Sequence, residues 1–441
     1  MGRQPFGLAS AAAWLREAGA DVLMQDLAVS HFEAESARRA DLIAFYVPMH
    51  TATRLALPVL ERVQDLNPRA EICFYGLYAP MNEKFLRSKG VDQIVGPEFE
   101  HALVGIYRDL ITDKEGQNNQ GPMESLERPR FITPDRVGLL PPEKYAALLS
   151  GQTSRKVGYT EATRGCRHRC LHCPVVPVYG GRFVVAPVEV VLEDVQQQVA
   201  LGAEHITFGD PDFFNGPAHA RRVIMRLHEN FPDITYDVTI KVEHLLAHAD
   251  LISTLRDTGC VLVTSAIESF DDEVLVALKK GHTGSDIEQL VTIMRDEGIA
   301  LNPTFVAFTP WTTRQNYLAF LSSIARLQLV DAIAPVQYAI RLLVVADSGL
   351  LSRPDISSLV DDFDTTELAY PWVHPDPVID DLQQILIRLV EEAQVAGRNR
   401  REIFELVWKA SHNALGNSWV PVPEFAPDLA TIPFFTEPWF C

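Results

Sequence analysis

The chain has 441 residues, 47% of them hydrophobic and 22% charged, the proportions of an ordinary globular protein with room for roughly two or three domains. Acidic residues outnumber basic ones 58 to 39, a formal net charge of −19, and a surface of that sign repels phosphate backbones, so nucleic acid is not an expected partner. No apolar run reaches membrane-spanning length, no signal peptide is evident and the six cysteines make no disulfide framework; the expected compartment is a reducing cytoplasm, with no membrane partner.

Residues 1–111 alternate helix and strand. An Ala-rich helix is predicted over Leu8 to Ala18, a strand over Asp21 to Leu27, a buried strand from Leu42 to Val47 and a helix from Ala52 to Leu66. Glu71 to Tyr75 and Gln93 to Val95 read as further strands, with helices around Asn82 to Ser88 and over Phe99 to Leu110. That rhythm implies an α/β domain built on a doubly wound parallel sheet, Rossmann- or flavodoxin-like. Residues 112–151, rich in Gly, Pro, Gln and charge, read as a linker.

Over residues 152–345 strands alternate with longer helices: Lys156 to Glu161, Ile206 to Phe208, Ile234 to Ile240, Val261 to Ile267, Leu301 to Val306 and Pro335 to Ile340. This pattern implies a partial (β/α)6 barrel of TIM type, a fold that places its ligands at the carboxyl ends of the strands. Residues 346–441 hold helices from about Ile379 to Ala396 and from Arg401 to Ala414, followed by a Pro- and aromatic-rich tail that ends at Cys441. Cys73 and Cys260 lie in apolar strand-like runs and read as buried core thiols.

The remaining cysteines are the chemical signal. Cys166, Cys170 and Cys173 occur in Thr163-Arg164-Gly165-Cys166-Arg167-His168-Arg169-Cys170-Leu171-His172-Cys173-Pro174, on the loop after the first barrel strand. Electron-carrying ferredoxins close a [4Fe-4S] cluster with four cysteines; a three-cysteine loop leaves one iron free for another ligand. The alternative is a structural zinc site completed by His168 or His172, although such sites more often draw on paired Cys-x2-Cys units at a distance.

The Cys-x3-Cys-x2-Cys spacing resembles that of the radical S-adenosylmethionine (SAM) superfamily, and the Thr-Arg-Gly lead-in resembles members with an N-terminal cobalamin-binding-like domain. The resemblance implies a [4Fe-4S] cluster whose free iron chelates SAM, and a SAM carbon–sulfur bond broken by reduction. It further implies roles for other positions. Gly209 and Asp210, in Thr207-Phe208-Gly209-Asp210-Pro211-Asp212, match a loop that receives the SAM amino group, with Asp210 or Asp212 as acceptor; an Asp-Pro turn is the plain alternative. Lys241 would pair with the SAM carboxylate and Glu243 with a ribose hydroxyl. Glu268, in Ala266-Ile267-Glu268-Ser269, matches the family's Gly-Ile-Glu-Ser, and a carboxylate that closes an apolar strand needs a partner. Gly-to-Ala departures at Ala266 and Ala307 narrow the approach to adenosine.

In the N-terminal part the Asp-x-His-x-x-Gly signature of a cobalt-ligating histidine is absent, and His50 is the nearest loop histidine, a residue type more often polar filler there than ligand. Relatives place an apolar strand before the segment matching Gly2 to Leu8, so the domain reads as short of its first strand. The expectation is that cobalamin is not a cofactor. The tail, Phe434-Phe435-Thr436-Glu437-Pro438-Trp439-Phe440-Cys441, resembles that of CUAEP/CCAEP-tail radical SAM proteins up to the first residue of their Cys-selenocysteine or Cys-Cys pair, the plain alternative being a frayed terminus.

That family includes the radical SAM enzyme of arsinothricin biosynthesis, which moves the 3-amino-3-carboxypropyl group of SAM to trivalent arsenic. The function implied is a radical SAM enzyme acting on a small molecule, here a thiophilic acceptor, with a reductant such as flavodoxin or ferredoxin. Two alternatives stay open within the class: a cobalamin-assisted methyltransferase and a 5′-deoxyadenosyl hydrogen-abstracting enzyme. Outside it stands a non-catalytic metal- or metalloid-binding protein.

Overall fold

The computed structural model describes residues 2–112, 130–416, 421–424 and 432–437. β1 (Leu42–Tyr46), β2 (Glu71–Tyr75) and β3 (Gln93–Val95) form a parallel sheet in the order β1-β2-β3. Apolar side chains leave both of its faces, so both must be covered. The helices Ala34–Arg39, His50–Leu66 and Glu83–Ser88 pack Ala37, Leu60, Val63 and Leu86 against Ile72 and Phe74. The helices Phe6–Glu17 and Glu100–Ile111 pack Trp14, Leu15 and Leu103 against Cys73 and Tyr75 on the other side.

The strand predicted over Asp21 to Leu27 does not form. That segment has no ladder partner among the described residues; the Val22 carbonyl accepts from Arg16 Nη2 at 3.0 Å, and Asp26 opens a turn closed by the Ser30 N–H.

β4 (Ala147–Ser150) and β5 (Thr153–Thr160) are an antiparallel pair, and β6 (Thr163–Gly165) pairs with β7 (Phe183–Val185) in a separate small ribbon. β8 (His205–Phe208), β9 (Thr235–Thr239), β10 (Cys260–Glu268), β11 (Ala300–Phe305) and β12 (Phe434–Phe435) complete the chain's strands among the described residues. The large sheet runs β11-β10-β9-β8-β5-β4-β12, parallel from β11 to β5, and curls into a partial TIM-type barrel with helices outside.

Alternation along its strands separates two environments. Ile206, Phe208, Tyr236, Val238, Val263 and Ile267 join the apolar core beneath the helices. His205, Thr207 and Asp237 take the other face, where Asp237 Oδ1 accepts from Thr207 Oγ1 at 2.5 Å and lies 2.9 Å from His205 Nε2. Arg3 reaches Thr207 Oγ1 at 3.0 Å and Glu437 at 2.9 Å, so both ends of the chain meet on this polar face.

Two further expectations change. The sixth strand, predicted over Pro335 to Ile340, is a 3₁₀ turn over Pro335–Tyr338 followed by a single parallel bridge between Phe308 and Arg341. Pro335 lacks an N–H for a ladder, and Gln337 substitutes its side chain, accepting the Phe305 N–H at 2.8 Å. The described part of the predicted linker is packed structure. It supplies β4 and Arg136, which is buried and holds Asp194 through two hydrogen bonds of 2.7 and 2.8 Å. The helices predicted near the C-terminus are Pro377–Val395 and Arg400–Ala414. Cys441 lies outside the described residues.

Candidate active site

The cysteine loop leaves the carboxyl end of β5 and is clasped by the β6/β7 ribbon, whose pairing of Gly165 with Phe183 ties its start to its exit. Gly165 has φ +80°, and a Cβ there would stand 2.5 Å from the Arg182 carbonyl oxygen, so only glycine fits. Beyond it, the Leu171 N–H donates to the Leu278 carbonyl at 3.0 Å, and the Cys173 N–H to the Cys170 carbonyl at 3.2 Å. Asn215, fully buried, accepts the Arg167 N–H at 3.1 Å and donates to the Gly165 carbonyl at 3.2 Å, bracing the chain on both sides of Cys166.

All three cysteines are free thiols, with Cys166 and Cys170 buried and Cys173 half-buried. Burial pushes the Cys166 thiol up and that of Cys173 up to about 11. Such thiols stay protonated at neutral pH unless a cation takes the proton's place, as metal ligation does. Three cysteines on one braced loop suit an iron–sulfur cluster, with three thiolates and one iron left over.

The loop after β8 supports this one. Asp210 accepts the Ala162 N–H at 3.0 Å and the Thr163 hydroxyl at 2.5 Å, so both its oxygens hold the start of the cysteine loop. Burial pushes its carboxyl up to about 6 against these hydrogen bonds. Gly209 is required by Tyr159, since a Cβ would lie 1.7 Å from the phenol oxygen. Both residues thus contact the chain itself in positions where the sequence suggested SAM. Asp212, two residues on, is fully buried with His244 Nδ1 2.7 Å and His168 Nε2 3.5 Å from its Oδ2.

Glu268 ends β10 at a register shift between Ala266 and Glu268, with φ 70°, a conformation that side-chain-bearing residues adopt at a cost. The bulge turns its carboxylate toward the cysteine loop, where Oε1 lies 3.1 Å from His172 Nε2 and 3.2 Å from Lys280 Nζ. Burial opposes ionisation of Glu268, but Lys280 and His172 outweigh it and hold the carboxyl well below the usual range. Burial likewise opposes the Lys280 ammonium, and Glu268 with the Cys170 and Cys173 thiols outweighs it upward. Lys241 donates to the Lys280 carbonyl at 3.0 Å and lies 3.5 Å from Glu243 Oε2.

The structure therefore gathers Lys241, Glu243 and Glu268 around the cysteine loop, as the sequence suggested, with His172 and Lys280 joining them. Lys280 carried a weak signal in sequence, a basic pair just past the Glu268 strand. Asn215 carried none.

Behind the loop, Arg164 is buried among carboxylates: Glu100 at 2.7 Å, Glu161 at 2.9 Å and Glu98 at 3.5 Å. Ser10 also donates to Glu100 at 2.7 Å, so the N-terminal helices reach the residue two positions before Cys166. Burial pushes Glu161 up to about 7 in spite of Arg164.

Residues 160–312, which include this loop and Glu268, match the radical SAM superfamily. Among curated proteins the chain is similar to the tRNA-2-methylthio-N(6)-dimethylallyladenosine synthase of Vibrio campbellii, 22% identical over 269 residues that make up 58% of this chain and 53% of that protein. A putative methylthiotransferase of Methanocaldococcus jannaschii is 22% identical over 284 residues, 57% of this chain and 61% of the relative. The chain thus spans little more than half the length of these relatives.

Two solved structures share the fold over nearly all of the chain. One is the cobalamin-dependent S-adenosylmethionine radical enzyme OxsB with aqua-cobalamin bound, at TM-score 0.71 and 13% identity, covering 94% of this chain and 70% of that one. The other is the radical S-adenosylmethionine methyltransferase TsrM from Kitasatospora setae with cobalamin and a [4Fe-4S] cluster bound, at TM-score 0.57 and 16% identity, covering 92% and 97%. No described helix is long and apolar enough to cross a membrane. With three thiols on the loop after the first parallel strand and the family match across the same residues, residues 160–312 are a radical SAM superfamily domain.

Proposed function

We propose that Cys166, Cys170 and Cys173 hold a [4Fe-4S] cluster, that SAM binds its open iron against Lys241, Glu243, Lys280 and Glu268, and that the enzyme transfers a fragment of SAM to a small thiophilic molecule. The observation that carries this reading is the braced three-thiol loop with the Glu268–Lys280 pair beside it, all at the carboxyl ends of the barrel strands. The cluster, once bound, supplies the electron that breaks a carbon–sulfur bond of SAM.

The chain's own part is to position. Lys280 neutralises negative charge next to Cys170 and Cys173. Lys241, close to its partner Glu243, offers an ammonium to a carboxylate ligand. The substrate is a small hydrophilic molecule, held at the carboxyl ends of the strands where the cysteine loop lies. A strongly acidic chain suits such a substrate better than RNA. Free thiols at all five described cysteines suit a reducing compartment and a flavodoxin- or ferredoxin-type reductant. The 3-amino-3-carboxypropyl group is the fragment favoured, with a soft acceptor such as trivalent arsenic, on the resemblance of the Phe434 to Cys441 sequence to the tail of the family that includes such a transferase.

A second reading has its own observation: the fold is shared with cobalamin-bound enzymes across the N-terminal domain as well as the barrel. Against it, His50 Nε2 lies 2.6 Å from the Glu367 carbonyl, already engaged within the chain.

The products of SAM separate the readings. Anaerobic turnover with reductant and arsenite should yield 5′-methylthioadenosine, the remainder after aminocarboxypropyl transfer. S-adenosylhomocysteine would indicate methyl transfer, and 5′-deoxyadenosine alone hydrogen abstraction. An unaltered SAM pool with reduced cluster present would defeat all three.

A further inference from the structure

His168 sits between Cys166 and Cys170, yet its side chain turns away into a different set of ligands. Its Nε2 lies 3.5 Å from Asp212 Oδ2 and 3.2 Å from His244 Nε2, and the two imidazoles stand with centroids 4.6 Å apart. One donor atom from each of His168, Asp212 and His244 falls within 4.8 Å of the others.

Asp212 is the unusual member. It is fully buried, and Oδ1 caps the Phe214 N–H at 3.2 Å. Oδ2 lies 2.7 Å from His244 Nδ1, but neither atom is directed at the other in a hydrogen bond, and both are buried without a hydrogen-bond partner. A buried carboxylate oxygen left this way is costly, by about 1–3 kcal/mol or more for a charged group. Two such atoms facing one space are the arrangement a cation would resolve. Bonds of about 2.0–2.2 Å to one ion set tetrahedral ligand atoms about 3.3–3.6 Å apart; the 3.5 Å separation present here already falls in that range, and the 2.7 Å one would open by under about 1 Å on binding.

The donors are two imidazoles and a carboxylate, on three different elements: the cysteine loop, the loop after β8 and the helix Val242–Ala247. That set suits zinc, ferrous or manganous ions, and three protein ligands leave a position open for water or a substrate oxygen. Glu243 Oε2 stands 3.5 Å from His168 Nδ1 and also 3.5 Å from Lys241 Nζ, so it orients His168 from outside the set.

We propose that His168, Asp212 and His244 form a binding site for one divalent transition-metal ion, separate from the cysteine-held cluster and open to one exogenous oxygen ligand.

Metal analysis of the anaerobically reconstituted full chain, supplied with zinc, should find one zinc per chain beyond the cluster iron. His244→Gln should lose that zinc and keep the iron. Because thiols can capture zinc, a second measurement uses Co2+ added to the Cys166→Ala/Cys170→Ala/Cys173→Ala variant. One equivalent should bind, with ligand-field bands and no thiolate charge transfer, and His168→Gln and His244→Gln in that background should each weaken binding at least tenfold while circular dichroism stays unchanged. Absence of saturable Co2+ binding in the triple-alanine variant, or binding that both histidine variants leave intact, would overturn the site. The outcome is independent of the cluster: loss of iron alone would count against the three cysteines, and loss of Co2+ alone against this set.

Discussion

Glu268 shows how a single residue is placed by opposing costs. A non-glycine φ of 70° and a carboxylate in a buried setting are both unfavourable, and the partners on its Oε1, Lys280 and His172, offset them. Because Lys280 is itself buried, removing either member strands the other's charge. Glu268→Gln and Lys280→Met should each destabilise the chain by about 3 kcal/mol in urea unfolding, and the double variant should cost clearly less than their sum. Strict additivity would mean that the pair is not coupled.

At this scale the sequence was informative where spacing encodes chemistry, as with Cys166, Cys170 and Cys173, and for Glu268, a carboxylate closing an apolar strand. For Asp210 and Gly209 it left the role open, because a loop motif does not tell whether its side chains face a ligand or the neighbouring loop. Asp210 braces Ala162 and Thr163, and Gly209 makes room for Tyr159.

Among the elements, the β6 segment joins the two halves of the chain. Arg164 is shared between Glu161 beside it and Glu98 and Glu100 at the start of an N-terminal helix, so the cysteine loop and that helix are held by one guanidinium. Glu161 titrates near 7 in the folded chain against 4.5 ordinarily, so the folded state holds its proton more tightly than the unfolded one. Its contribution to stability is full below about pH 4.5 and is lost as pH rises through about 7, by up to about 3 kcal/mol at 1.4 kcal/mol per pH unit. Glu161→Gln does not titrate, so its stability relative to the parent should rise between pH 4.5 and 7. Thermal melts of the two proteins across that range check this, and a constant difference would place the Glu161 carboxyl at its ordinary acidity.

Element type was readable wherever periodicity was strong: β2 and β3 match their predicted bounds, and β10 and β11 lie within a residue or two. It failed where long-range pairing decides. Asp21 to Leu27 looks like a strand but meets no partner. Pro335 to Ile340 yields its hydrogen bonding to a side chain, and Ala147 to Ser150, in a segment with the composition of a linker, becomes a strand because β5 offers an edge.

Across the whole molecule, the N-terminal domain and the barrel are joined at the back of the cysteine loop, while Arg3 and Glu437 bring the two ends of the chain to the barrel's polar face. The α/β class and the partial barrel were legible from the alternation of elements; the polar barrel face was not, since His205, Thr207 and Asp237 come together only when β8 and β9 pair. Shared architecture with cobalamin-bound enzymes makes corrin content a direct check at this scale. Protein isolated from cobalamin-fed cells should lack a corrinoid spectrum if His50 remains engaged with Glu367, and one corrin per chain would shift the account to the methyltransferase reading.

The central claim is that three cysteines on one loop hold the reactive cluster. Iron and acid-labile sulfide, measured on anaerobically reconstituted parent and on the Cys166→Ala/Cys170→Ala/Cys173→Ala variant, test it most directly. The account predicts about four iron and four sulfide per parent chain and close to none in the variant; undiminished iron and sulfide in the variant would contradict it.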